Sequence, residues 1–103
     1  MMKSRTDVLR LLNSVGKEVF VRYFDTFADR TLSNDEVIAL LPPEYSLRSR
    51  RSRTSTARRI LREGLTGEAL GIILSSERLD PEIIRAARSR MATQAPLDRL
   101  SGR

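Results

Sequence analysis

Seven arginines lie between positions 48 and 62: Arg48, Arg50, Arg51, Arg53, Arg58, Arg59 and Arg62. A guanidinium group offers five N–H donors in a planar fork that matches a phosphate or a carboxylate, and it stays charged at any physiological pH. No acidic residue interrupts the run, and Ser46, Ser49, Ser52, Thr54, Ser55 and Thr56 stand among the arginines as further hydroxyl donors. The chemistry this suggests is non-covalent capture of a polyanion.

The placement of charge says more than its amount. The chain of 103 residues has 19 basic and 13 acidic residues, and only Lys3 and Lys17 among the basic ones are lysines. Segment 48–62 carries +7, which leaves 12 basic against 13 acidic residues elsewhere, so the whole net charge of +6 resides in this one run. Were about six of its arginines each to neutralise one phosphate of a DNA duplex, log K would fall against log salt with a slope near −5.

Other chemistries lack their residues. Without cysteine or histidine there are no disulfides, thiolate nucleophiles, imidazole bases or usual transition-metal ligands, so neither a metal nor a cofactor is expected. Asp25 and Asp29 would share a helix face at i, i+4 and could in principle act as acid and base. They fall on the polar side of their helix, with Arg22 near Asp25 for pairing, and no phosphate loop, nucleophile elbow or dinucleotide fingerprint is present. A non-enzymatic protein is expected. Apolar runs such as 37–41 span only a few residues, too short for a membrane helix, and no signal-peptide core follows the start, which predicts a cytoplasmic protein with no membrane partner.

The elements that must carry the arginines read as helices of one small domain. Val8, Leu11, Leu12 and Val15 follow helical spacing behind Thr6 as N-cap, and Gly16 punctuates them. Val19, Phe20, Tyr23, Phe24 and Phe27 line a face of a second helix over about Lys17 to Ala28, against a strand through Val19, Val21 and Tyr23 as the competing reading. "LSNDEV" is a start signal, with Ser33 and Glu36 as a capping box and Leu32 and Val37 as a hydrophobic staple. Pro42 and Pro43 stop that helix near Leu41.

The basic run has helical spacing through Ala57, Ile60 and Leu61 and ends at Gly64, a C-cap residue. Arginines in a first turn oppose the helix dipole, so its start is expected at Ser52 to Thr54, with "RSRR" as a flexible approach. If 48–62 were helical throughout, Arg48, Arg51, Arg58, Arg59 and Arg62 would share about one third of the circumference, opposite Leu47, Ala57, Ile60 and Leu61, while Arg50 and Arg53 would miss that face. A nearly all-apolar helix opens at Thr66 or Gly67, and a last one, with Asp80 as N-cap and Pro81 at its first position, runs to about Ala92.

An all-α fold of about five helices is therefore expected, with residues 1–92 as the domain and 93–103 as a flexible tail. A short helix, a proline-marked turn and a basic helix together resemble a helix-turn-helix, in which the second helix lies in the major groove. The usual turn glycine is absent and "PPEYSLRSRR" is a long connection. The expected function is nucleic-acid binding, with duplex DNA ahead of RNA because the run lacks base-stacking aromatics apart from Tyr45. All seven arginines are the expected contacts, and transcriptional regulation is the role such a domain would fill. The alternative is a helical interaction module whose basic patch docks an acidic protein. Segment 6–15 is expected either to pack inside or to pair two chains as a homodimer.

Overall fold

The structure is a computed structural model that describes residues 4–76 and 78–101, with side chains described as far as 93. Among the described residues seven helices follow one another: α1 Arg5–Val15, α2 Lys17–Arg22, α3 Phe24–Ala28, α4 Asn34–Leu40, α5 Leu47–Arg62, α6 Thr66–Leu74 and α7 Pro81–Ser101. The fold is all-α, and no strand forms among the described residues. Val19, Phe20 and Val21 are all buried in succession in α2, which the alternating burial of a half-buried strand would not give.

Local chemistry sets the helix ends. The N-cap of α1 lies two residues before the expected Thr6, at Ser4, which forms a full capping box with Asp7. The Asp7 backbone N–H donates to Ser4 Oγ at 3.2 Å, and the Ser4 N–H donates to the Asp7 carboxylate at 3.3 Å. α4 is capped as its sequence requires, with the Glu36 N–H on Ser33 Oγ at 3.2 Å and the Ser33 N–H on Glu36 Oε1 at 3.0 Å. The last stretch of the expected aromatic helix divides at Tyr23, whose φ of −108° and ψ of 20° turn the chain between α2 and α3. That turn brings Phe20 and Phe24 edge to face at 5.7 Å, a favourable aromatic geometry.

The largest departure from the sequence reading is the start of α5. It begins at Leu47, not at Ser52 to Thr54, and "RSRR" is helical. Ser46 is the cap, accepting the Ser49 N–H at 3.1 Å. The six residues 41–46 separate α4 from α5, more than the three or four of a compact helix-turn-helix turn. At the other end Gly64, with φ of 72°, closes a Schellman motif: Leu65 N–H donates to Ile60 O at 2.9 Å and Gly64 N–H to Leu61 O at 3.2 Å. Ile60 and Leu65 are both buried, supplying the apolar contact that accompanies this cap. α7 continues to Ser101, beyond the expected end at Ala92.

α5 is the hub. It packs against α1, α3, α4 and α6, while α7 lies on α6 and α2. One core joins all of them, with Leu12, Val15, Phe20, Val37, Ile60, Leu70, Ile73 and Ile83 almost fully enclosed. α1 buries Val8, Leu12 and Val15 within this core. Leu47 departs from the expected apolar side and is 48% exposed.

One polar group in the core has no counterpart. Thr54 on α5 is 1% exposed, and its Oγ1 makes no hydrogen bond. A buried hydroxyl without a partner costs free energy that a methyl group would not. Thr54→Val is therefore expected to raise unfolding stability by about 1 kcal/mol in a urea titration. A loss of stability of that size would instead mean that the hydroxyl is bonded in solution.

Candidate nucleic-acid interface

The seven arginines of α5 separate into two groups according to where the helix turn places them. Arg50 and Arg53 emerge on the core side, and Arg58 at its border. Each is too long and too polar to stay there, and each reaches to the end of a neighbouring helix.

Arg53 donates through Nη1 to the carbonyl of Val15, the last residue of α1. Its Nε donates to Ser49 Oγ at 3.0 Å, and its guanidinium lies 4.1 Å from the centroid of the Tyr45 ring, a cation–π contact. Arg50 donates to Tyr45 O at 3.2 Å and to Ile38 O, in the last turn of α4, at 3.4 Å. Arg58 makes three such bonds: Nε to Phe27 O at 3.2 Å, Nη2 to Asp29 O at 2.9 Å and Nη1 to the Asn34 side-chain oxygen at 2.9 Å. The last carbonyls of a helix have no partner within it and carry the negative end of its dipole. The guanidinium groups of α5 thus cap the C-terminal ends of α1, α3 and α4.

This explains how α5 tolerates arginines near its start. Arg50 and Arg53 stay beside Tyr45 at the helix's own N-terminus, but each also places its charge against the partial negative charge at the end of another helix. It also removes Arg50, Arg53 and Arg58 from the set of side chains free to meet a partner. Of the seven expected contacts, three are hydrogen-bonded within the molecule and four remain outside.

Those four are Arg48, Arg51, Arg59 and Arg62, all exposed. With the exposed Ser52 and Ser55 they form one stripe along the solvent side of α5. At 1.5 Å per residue the stripe from 48 to 62 is about 21 Å long. Arg48, Arg51 and Arg62 make no ion pair or hydrogen bond among the described residues. Arg59 meets Glu63 at 2.7 Å across one turn, an exposed pair of the kind that contributes little to stability and yields readily to a competing anion. Glu63 is the first acid after the run, and Glu44 is the last before it.

Two other carboxylates belong to the scaffold rather than to the stripe. Asp29 has its pKa lowered by the Thr31 hydroxyl and then the Thr31 backbone N–H, with a smaller contribution from the Arg58 charge. Glu36 is lowered by the Ser33 backbone N–H and then the Ser33 hydroxyl, through the capping box. The stabilisation from both is present above the ordinary carboxylate pKa and lost as pH falls through the depressed one.

Among the described residues no group of acidic side chains is placed to hold a metal ion, and no helix is long and apolar enough to cross a membrane. Asp25, considered above as an acid–base candidate, pairs with Arg90 at 2.8 Å, while Asp29 accepts the Thr31 hydroxyl at 2.6 Å. Comparison with protein-family models, with curated proteins and with solved structures gives no match for this chain.

Proposed function

We propose that this domain binds duplex nucleic acid, DNA ahead of RNA, by laying the outer face of α5 along the phosphate backbone, and that it does so without catalysis. The observation that carries this reading is the stripe itself: Arg48, Arg51, Ser52, Ser55, Arg59 and Arg62 face solvent on one rigid helix with no acid within it. A length of about 21 Å spans roughly twelve phosphate charges of a duplex counted over both strands. Laid along the backbone, the stripe's arginines meet phosphates rather than base edges, so the grip tolerates sequence. A regulatory role would need reading elsewhere or a second copy of the chain.

Four contacts rather than six change the expected salt dependence. The slope of log K against log salt becomes about −3.6, and affinity falls about 150-fold between 50 and 200 mM salt. Fluorescence anisotropy with labelled DNA and RNA duplexes measures this directly. Arg51→Gln is expected to weaken binding to every duplex alike and to reduce the slope by about one. Absence of duplex binding at about 50 mM salt, or an Arg51→Gln slope equal to that of the parent, would overturn the reading and favour an acidic protein as the ligand of the stripe.

A further inference from the structure

A concavity of about 580 Å³ lies where α3 and the residues after it meet the C-terminal half of α5 and the start of α6. Its volume falls within the range of small-molecule sites, about 300 to 1,000 Å³. Arg30, Arg58 and Arg62 line it, together with Leu61, Phe27 and Thr66. We infer that this pocket binds a nucleoside monophosphate, either free or as the phosphorylated end of a strand. The outer stripe shares only Arg62 with it, and the inference does not depend on the duplex reading.

Charge argues for the phosphate. Arg30 and Arg62 are exposed and make no ion pair or hydrogen bond among the described residues, so both forks are available. Arg58 is fixed in the wall by Phe27 O, Asp29 O and Asn34 Oδ1. All three acceptors are neutral, so its hydrogen bonds are satisfied while its charge is not cancelled. The one carboxylate on the wall is Asp29, whose Oδ1 is committed to the Thr31 N–H at 2.9 Å and hydroxyl at 2.6 Å. Three guanidinium groups against one carboxylate leave the wall at +2. That matches a phosphate monoester, which carries about −1.5 to −2 at neutral pH.

The apolar half of the wall argues for a planar base on that phosphate. Leu61, Phe27 and Ala28 line the concavity together with the charged groups, so an inorganic ion would fill only part of it. Thr66, buried at the start of α6, adds a hydroxyl that can donate to a phosphate or ribose oxygen. A guanidinium such as that of Arg30 can stack on a base as well as bond a phosphate.

The test is titration calorimetry of the full chain with AMP and with inorganic phosphate, alongside spectra of the arginine Nε–H groups. AMP is expected to bind with a Kd of about 1 mM or tighter, and phosphate at least tenfold more weakly. Arg30→Gln, at an exposed loop position with no contact to lose, is expected to weaken AMP about tenfold, as is Arg62→Gln. A hexanucleotide with and without a 5′ phosphate separates the two sources: tighter binding of the phosphorylated strand than of AMP assigns the site to strand ends, and the reverse assigns it to free nucleotide. No heat or shift with AMP up to about 10 mM, equal affinity for AMP and phosphate, or an Arg30→Gln protein that binds AMP normally would each overturn it. None of these readouts involves a duplex, so failure here and failure of the stripe are recorded separately.

Discussion

Arg58→Met is expected to destabilise the domain by about 3 kcal/mol, lowering the thermal midpoint by about 15 °C. The guanidinium holds Phe27 O, Asp29 O and Asn34 Oδ1 at once, and so ties the end of α3 and the start of α4 to α5. A hydrogen bond to a charged group contributes about 1.5 to 3 kcal/mol, and partial access of water to these carbonyls after truncation keeps the sum well below three times that. Methionine preserves the apolar stem, which isolates the loss of the fork. Arg58→Lys is expected to recover less than half of the loss, because a single ammonium cannot span three acceptors arranged for a planar group. Thermal and urea unfolding measure both, and an Arg58→Met protein within about 0.5 kcal/mol of the parent would show that these bonds contribute nothing net.

Gly16→Ala is expected to cost a similar amount, about 3 kcal/mol, through two separable effects. The backbone there has φ of 91° and ψ of 125°, a conformation that an L side chain adopts only under strain of about 1 to 3 kcal/mol. A Cβ at this position would also lie 2.9 Å from Arg53 Nη1, forcing the guanidinium off the Val15 carbonyl that it caps. The two parts can be divided by a double-mutant cycle. In an Arg53→Met background the contact is already gone, so Gly16→Ala should cost only its backbone strain, smaller by about 1 kcal/mol. Equal costs in both backgrounds would mean that Arg53 and Gly16 are not coupled.

What could be read in the sequence was whatever depends on neighbours a few positions away. The capping box of Ser33 and Glu36, the stop at Pro42, the C-cap at Gly64 and the apolar stripes of α1 and α6 are all local patterns, and each stands as its residues require. Ser4 was hidden only because its partner is Asp7, and a capping box is sought first with Glu or Gln. The start of α5 failed for a different reason. An argument from the helix dipole weighs Arg50 and Arg53 against their own helix, whereas their partners are carbonyls at Ile38 and Val15, one of them 38 residues distant. The signal was nevertheless visible in part. Arg50 and Arg53 did not fit the outward face of a helix, and a long cation on the core side of a helix must find an acceptor there or leave. Arg58 sat at the edge of the same face, where angle alone does not decide between solvent and the end of α3. Arg30 joins the pocket through tertiary placement and has no distinguishing sequence context.

The helix caps formed by α5 have an electrical side. A carbonyl occupies the hydrogens of a guanidinium without supplying an opposite full charge, so Arg50, Arg53 and Arg58 remain cations as seen from outside the molecule. Their field reaches beyond the surface for about a Debye length, roughly 8 to 10 Å in physiological salt. Under the proposed function, an approaching polyanion would feel Arg50, Arg53 and Arg58 as well as the four outer arginines, with Glu63 offsetting part of the charge of Arg59 and Asp29 part of that of Arg58. Arginines used as internal fasteners can in this way quicken encounter while contributing nothing to the bound contact, which carboxylate-paired arginines in the same places would not do.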